Sequence, residues 1–146
     1  MKKKRARAKK KRKVNPIPAG YHAVTPYLSI RGAAQAIEFY KKAFGAAEVM
    51  RMPGPEGKLG HAEIRIGDSR VMLSDEYPEM AFMGPQTRGG STVHIHLYVR
   101  DVDAMNRTGS IEDPFGHVWH LATHKEDLSM AELRRRAEKV AKAMGG

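Results

Sequence analysis

"AVTPYLSIRGAAQAIEFYKKAFG", residues 23–45, changes its hydrophobic period halfway along. In residues 23–30, Val24, Leu28 and Ile30 fall on one face of an extended chain, and Thr25, Tyr27 and Ser29 fall on the other. That alternation predicts a strand. From Gly32 the period lengthens. Ala33, Ile37, Tyr40 and Phe44 follow a helical repeat, and Gly45 supplies a stop, which predicts a helix over residues 32–45.

Three strand-like segments follow, "AAEVMRM" (46–52), "GHAEIRIG" (60–67) and "SRVMLSDE" (69–76). The turn "PGPEGK" and the dipeptide Gly67-Asp68 separate them, so the order is β-α-β-β-β. The Pro/Gly-rich stretch "YPEMAFMGPQTRGG" (77–90) reads as a loop, a candidate lid or dimer contact. The pattern then begins again with a strand over 92–100 and a would-be helix at "DVDAMN" (101–106). "EDPFG" is a turn, "HVWHLATH" (117–124) a strand, and "LSMAELRRRAEKVAKAM" (128–144) a closing helix. Ser129 and Glu132 have the spacing of a capping box, with Leu128 and Leu133 at staple positions.

At 146 residues the chain suits one domain with a single core. It has no cysteine, which excludes disulfides, thiolate nucleophiles and zinc–thiolate sites. No apolar run approaches the roughly 18 residues of a membrane span, so a soluble, cytoplasmic protein with no membrane partner is expected. The net charge of +10 is localised: residues 2–13, "KKKRARAKKKRK", hold ten Lys and Arg, and the remaining 16 basic residues balance the 16 acidic ones. Such a block repels itself and buries little apolar area, so residues 1–13 read as a disordered basic tail. Its partners would be nonspecific: nucleic acid or another anionic surface. Residues 14–20, "VNPIPAG", form the linker, 21–128 the domain, and 129–146 a C-terminal helix and tail.

The histidines carry the chemistry. Alternation in 92–100 puts Val93, Ile95, Leu97 and Val99 on one face and His94, His96 and Tyr98 on the other. In 117–124, Trp119 and Leu121 share a face opposite Val118, His120 and Ala122. Three readings of His94 and His120 stay open: hydrogen-bonded lining of a cavity, metal ligands, or a general base without metal. His61 and Glu63 read either as an acid/base pair or as alternate exposed strand positions. Asp75-Glu76 is expected to meet Arg51 or solvent, and Asp113–Gly116 to form a hairpin turn. The sequence has no glycine-rich phosphate loop.

The blocks "VTPYLSIRGAAQAIEFYKKAFGA", "GHAEIRIGDSRVMLSDE", "HIHLYVRDVDA" and "EDPFGHVWHLATHKED" together resemble the PhnB-like branch of the vicinal oxygen chelate superfamily. That superfamily contains glyoxalases, bleomycin- and fosfomycin-resistance proteins and extradiol dioxygenases. The resemblance implies an α+β fold of paired βαβββ modules, a small-molecule cavity on the concave side, and a homodimer. Between Asn106 and Arg107 the family carries about 25 more residues than stand here, so either the second module lacks most of its helix and one strand, or a stretch belonging there is omitted from the sequence.

The superfamily's enzymes hold one divalent ion through four strands, and the matching positions here are Thr25, Leu73, His94 and His120. Only the two histidines can ligate. Asp75, or Glu76 if the strand slips, is the candidate third donor, and Thr25, Tyr27, Leu73, His94, His96 and His120 are expected to line the cavity. The cofactor expectation is therefore none or one divalent metal: zinc, nickel, manganese or iron(II). Two functions follow from the resemblance. One is a metal-free binding or sequestering protein; the other is a metal-dependent lyase, isomerase or dioxygenase acting on substrates with vicinal oxygens.

Overall fold

The structure, a computed structural model, describes residues 14–102 and 109–144. The basic tail and most of the would-be helix at 101–106 lie outside the described residues. The chain divides into two compact units, one ending at Gly84 and one beginning at Pro85.

The first unit follows the βαβββ order: β1 (Tyr27–Ile30), α1 (Ala33–Phe44), β2 (Ala47–Pro53), β3 (Leu59–Ile66) and β4 (Ser69–Asp75). Its sheet runs β1-β4-β3-β2, with β1 parallel to β4 and the other pairs antiparallel. Parallel pairing demands a crossover, and α1 begins it. The helix is framed by two left-handed glycines, Gly32 at φ 87° and Gly45 at φ 64°. The Gly45 N–H closes the last turn on the Tyr40 carbonyl. Ala33, Ala36, Ile37 and Tyr40 are fully buried along one stripe, and α1 packs on β1, β3 and β4.

Cross-strand register sorts the two faces of this sheet. Leu28 pairs with Leu73, and Leu73 with Ala62; together with Ile30, Ile64 and Val71 they form the buried apolar side. Tyr27 pairs with Met72, and Met72 with Glu63, so these three share the opposite side. Val24 does not join the apolar side as expected. It lies ahead of β1 and is 84% exposed.

The second unit contains α2 (Pro85–Arg88), β5 (His94–Tyr98), β6 (Ser110–Glu112), β7 (Val118–Ala122) and α3 (Met130–Met144). Its sheet has three strands in the order β5-β7-β6, one fewer than the first, which is the reduced second module expected. β5 pairs in parallel with β7, and β6 pairs antiparallel to it. Hydrophobic period does not reveal β6, because three residues are too few to display one. The expected turn at Asp113–Gly116 connects β6 to β7. Gly116 adopts φ 85° and its N–H reaches the Asp113 carbonyl at 3.0 Å. Asp113 Oδ1 accepts the amides of Phe115 and His117, and Oδ2 accepts the Trp119 indole N–H, each at 2.9 Å. This buried carboxylate therefore ties the turn to the Trp119 ring, which is 1% exposed. In α3 the Glu132 N–H donates to Ser129 Oγ at 3.2 Å, the helix-capping half of the expected box.

Candidate functional site

On β5 and β7 the alternation holds. Ile95, Leu97, Trp119 and Leu121 face away from His94, His96, Tyr98 and His120. The register partner of His120 is His96, yet its ring leans toward His94, with His94 Nδ1 and His120 Nε2 at 2.8 Å. One ring must donate a proton and the other accept it. The His96 ring stacks on His120 with centroids 6.4 Å apart and meets Tyr98 at 4.9 Å. The result is a half-exposed imidazole cluster with two nitrogens turned on each other.

The expected site residues of the first unit fall elsewhere. Leu73, expected on the concave side, is fully buried on the apolar side. Register puts Met72 beside Tyr27 instead, a one-residue offset that reverses the facing. Thr25 precedes β1, and its hydroxyl donates to the His22 carbonyl at 3.3 Å. Asp75 meets neither Arg51 nor open solvent. Its Oδ1 accepts the amides of Gly32 and Ala33 at 3.0 and 2.9 Å, and its Oδ2 accepts the Leu59 amide at 2.6 Å. It caps α1 and anchors β3. Glu76 pairs with Arg31 at 2.8 Å, while Arg51 pairs with Glu48 at 2.9 Å.

On the opposite face of the first unit's sheet His61 and Glu63 are neighbours in one cluster. Glu63 is not an exposed strand residue; its side chain is 7% accessible. The Tyr21 hydroxyl donates to Glu63 Oε2, and Arg70 Nη1 reaches the same oxygen at 3.3 Å. Oε1 faces His61 Nε2 at 3.4 Å, and His61 Nδ1 lies 2.9 Å from the Tyr27 hydroxyl. The Tyr21 hydrogen bond, outweighing burial, holds the Glu63 carboxyl below its ordinary value, and His61 and Arg70 add to the effect. The same bond pushes the Tyr21 phenol up. Phe82, from the loop after β4, packs edge-on against Tyr27 with centroids 5.3 Å apart. Ser29 Oγ and Arg70 Nε, on this side of the sheet, are buried polar atoms without a partner.

A divalent-metal site needs three or four convergent donors. Among the described residues no group of three or more His, Asp or Glu side chains is placed to hold an ion. The donor set that could be carried over from the family reduces to two imidazoles, with Asp75 committed to backbone amides. The residues described do not fit a metal centre. No helix among them is long and apolar enough to cross a membrane.

Comparisons with known proteins agree with this architecture. Residues 22–128 match the family model of the glyoxalase/bleomycin resistance protein/dioxygenase superfamily. An uncharacterized protein of Mycobacterium bovis is 40% identical over 136 residues, spanning 77% of this chain and 90% of its own. An uncharacterized protein of Mycobacterium tuberculosis is also 40% identical over 136 residues, 77% of this chain and 80% of its own. The 136 aligned positions exceed 77% of 146 residues by about two dozen, the size of the shortfall expected in the second module. Among solved structures, a PhnB protein from Bacillus cereus, named a putative methyltransferase, superposes with TM-score 0.55 at 16% identity, covering 70% of this chain and 100% of its own. The fosfomycin resistance protein FosX of Mesorhizobium loti gives 0.53 at 15% identity over 78% and 97%. TnmS3, an antibiotic binding protein of a Streptomyces species, gives 0.52 at 20% over 74% and 99%. With the family model covering most of its length and two βαβββ-derived sheets in its fold, this chain belongs to the glyoxalase/bleomycin resistance protein/dioxygenase superfamily.

Proposed function

We propose that the chain is a metal-free small-molecule-binding or sequestering protein that works through the polar faces of its two sheets. Each face is taken by itself: Thr25 and Tyr27, with Met72 in place of Leu73, are the proposed lining in the first unit, and His94, His96 and His120 that in the second. The observation that carries this reading is the fate of Asp75. Both of its oxygens are engaged by three backbone amides, so a third metal donor is withdrawn from His94 and His120. One nitrogen of each imidazole is engaged by the other ring at 2.8 Å, and the rings would have to part before those two nitrogens could ligate. TnmS3, named an antibiotic binding protein, supports the idea that this fold serves as a container.

The second reading is a lyase, isomerase or dioxygenase using a divalent metal on His94 and His120. It draws on FosX of Listeria monocytogenes, solved in complex with Mn(II). Metal analysis of protein purified without chelator separates the two. Metal-free protein that stays empty after incubation with zinc, nickel, manganese and iron(II) is expected. A stoichiometric ion lost in the His94→Ala/His120→Ala variant would overturn the proposal. The resemblance also supports a homodimer, which sedimentation velocity measures against the 16.3 kDa chain. The localised charge of residues 2–13 supports a separate, sequence-blind attraction to polyanions.

A further inference from the structure

We propose that Tyr27, His61 and Glu63 form a proton relay whose open end is the Tyr27 hydroxyl, and that it takes the proton of a neutral, weakly acidic phenol or enol. The reading goes beyond ligand binding and is independent of His94, His120 and any metal.

The relay follows from one buried carboxylate. Glu63 is 7% accessible and receives hydrogen bonds from Tyr21 and Arg70 on Oε2. Those donors stabilise its charged form. An anionic Oε1 facing His61 Nε2 selects the tautomer with the proton on Nε2. Nδ1 then carries a lone pair and can only accept, and its neighbour at 2.9 Å is the Tyr27 O–H. The order of donors is therefore set from inside outward: Tyr27 to His61, His61 to Glu63. The phenol is 43% exposed, while the histidine and carboxylate behind it are 24% and 7% accessible, so a ligand meets the chain at Tyr27. Its proton is directed inward, which leaves the Tyr27 oxygen lone pairs facing outward as acceptors.

The proton accounting closes without a co-reactant. A ligand hydroxyl gives its proton to Tyr27 Oη as the phenol's own proton moves to His61 Nδ1. The ligand leaves as an oxyanion, and the imidazolium formed is stabilised by Glu63. The 3.4 Å separation of Nε2 and Oε1 is long for a hydrogen bond, and a bond between an imidazolium and a carboxylate is generally shorter and stronger than one from a neutral ring. This is the logic of a nucleophile, base and orienting acid applied to a phenol.

The surroundings select the ligand class. Arg70 already neutralises Glu63, so the site offers no free charge to an anion. Met72 stands in register beside Tyr27, and Met52 beside His61, which provides soft apolar neighbours for a ring or chain. A neutral molecule with an apolar body and one acidic hydroxyl matches both features.

The experiment has two arms on the full-length chain. The first reads the imidazole nitrogens of His61 by 15N NMR. The relay requires Nε2 protonated and Nδ1 accepting a hydrogen bond that is lost in Tyr27→Phe. A proton on Nδ1, or an unchanged Nδ1 signal in Tyr27→Phe, overturns it. The second arm uses 4-nitrophenol, whose anion absorbs in the visible. Binding to wild type at a pH where free nitrophenol is mostly neutral should increase the anion's absorbance, and Tyr27→Phe and His61→Gln should each lose that increase. Binding without ionisation, no binding, or an equal increase in the variants overturns the proposal. Thermal melts of the two variants confirm folding, and failure of this relay leaves the metal-free reading of His94 and His120 intact.

Discussion

Glu63 shows how a single side chain takes its properties from residues far away in sequence. Its carboxyl is held below the ordinary 4.5, first by the Tyr21 hydroxyl. A depressed carboxyl contributes stability above its unfolded value, and that contribution disappears as pH falls through the folded value. Melting temperature measured below pH 4.5 should therefore fall more steeply in wild type than in Glu63→Gln; parallel curves would contradict this. Glu63→Ala leaves Arg70 and Tyr21 facing an unfilled site and should destabilise by about 3 kcal/mol. Asp113 is a second such residue. It is 4% exposed and accepts three hydrogen bonds, one from Trp119, the sole tryptophan. We expect Asp113→Ala to cost about 3 kcal/mol, because buried donors are left unmet. Urea unfolding followed by Trp119 fluorescence reads it directly, and a loss below about 1 kcal/mol would be inconsistent with the strut.

At the scale of elements, α1 and its cap hold the first sheet together. Ile37 is fully buried in the contact of α1 with the sheet, so Ile37→Ala should cost about 3 kcal/mol through lost transfer energy and a cavity. Asp75 acts differently, by satisfying orphan amides at the start of α1 and tying Leu59 to them. Asp75→Ala should cost about 1–2 kcal/mol as a lost cap. Amide exchange should then accelerate at Gly32, Ala33 and Leu59 more than along the middle of α1. Uniform acceleration would indicate a global effect and not a cap. Close packing of backbone against backbone also appears near β1. A Cβ on Gly84 would lie 2.8 Å from the Ser29 carbonyl oxygen, which requires glycine there unless the loop shifts.

For the whole molecule, charge distribution makes the clearest prediction. Formal charge outside residues 1–13 balances, so removing that segment should abolish most retention on heparin. The salt dependence of the full chain's retention should scale with the number of anionic groups its lysines and arginines neutralise. Retention that survives truncation would assign the basic surface to α3, where Arg134, Arg135, Arg136, Lys139 and Lys142 outnumber Glu132 and Glu138. Large side chains are also exposed among the described residues of the second unit, including Val93 at 68% and Tyr98 at 70%.

The sequence by itself determined the βαβββ order, the helix expected over 32–45 and found at 33–44 with its glycine stop, the turn at Asp113–Gly116, and which residues share a face within β1, β5 and β7. These are local properties: hydrophobic period, glycine at positive φ, and turn chemistry act over a few residues. The pairing of His94 with His120 was half legible. Alternation put both on the polar face, but only parallel register brought the two strands side by side. Tertiary structure alone decided the rest. Leu73 and Met72 exchanged roles because facing between strands depends on register, and one residue reverses it. Asp75 became a cap, and Glu63 the centre of a cluster, because a carboxylate takes its role from whichever donors the fold delivers. For Glu63 those donors stand 42 residues away at Tyr21 and seven at Arg70, beyond the reach of any local pattern.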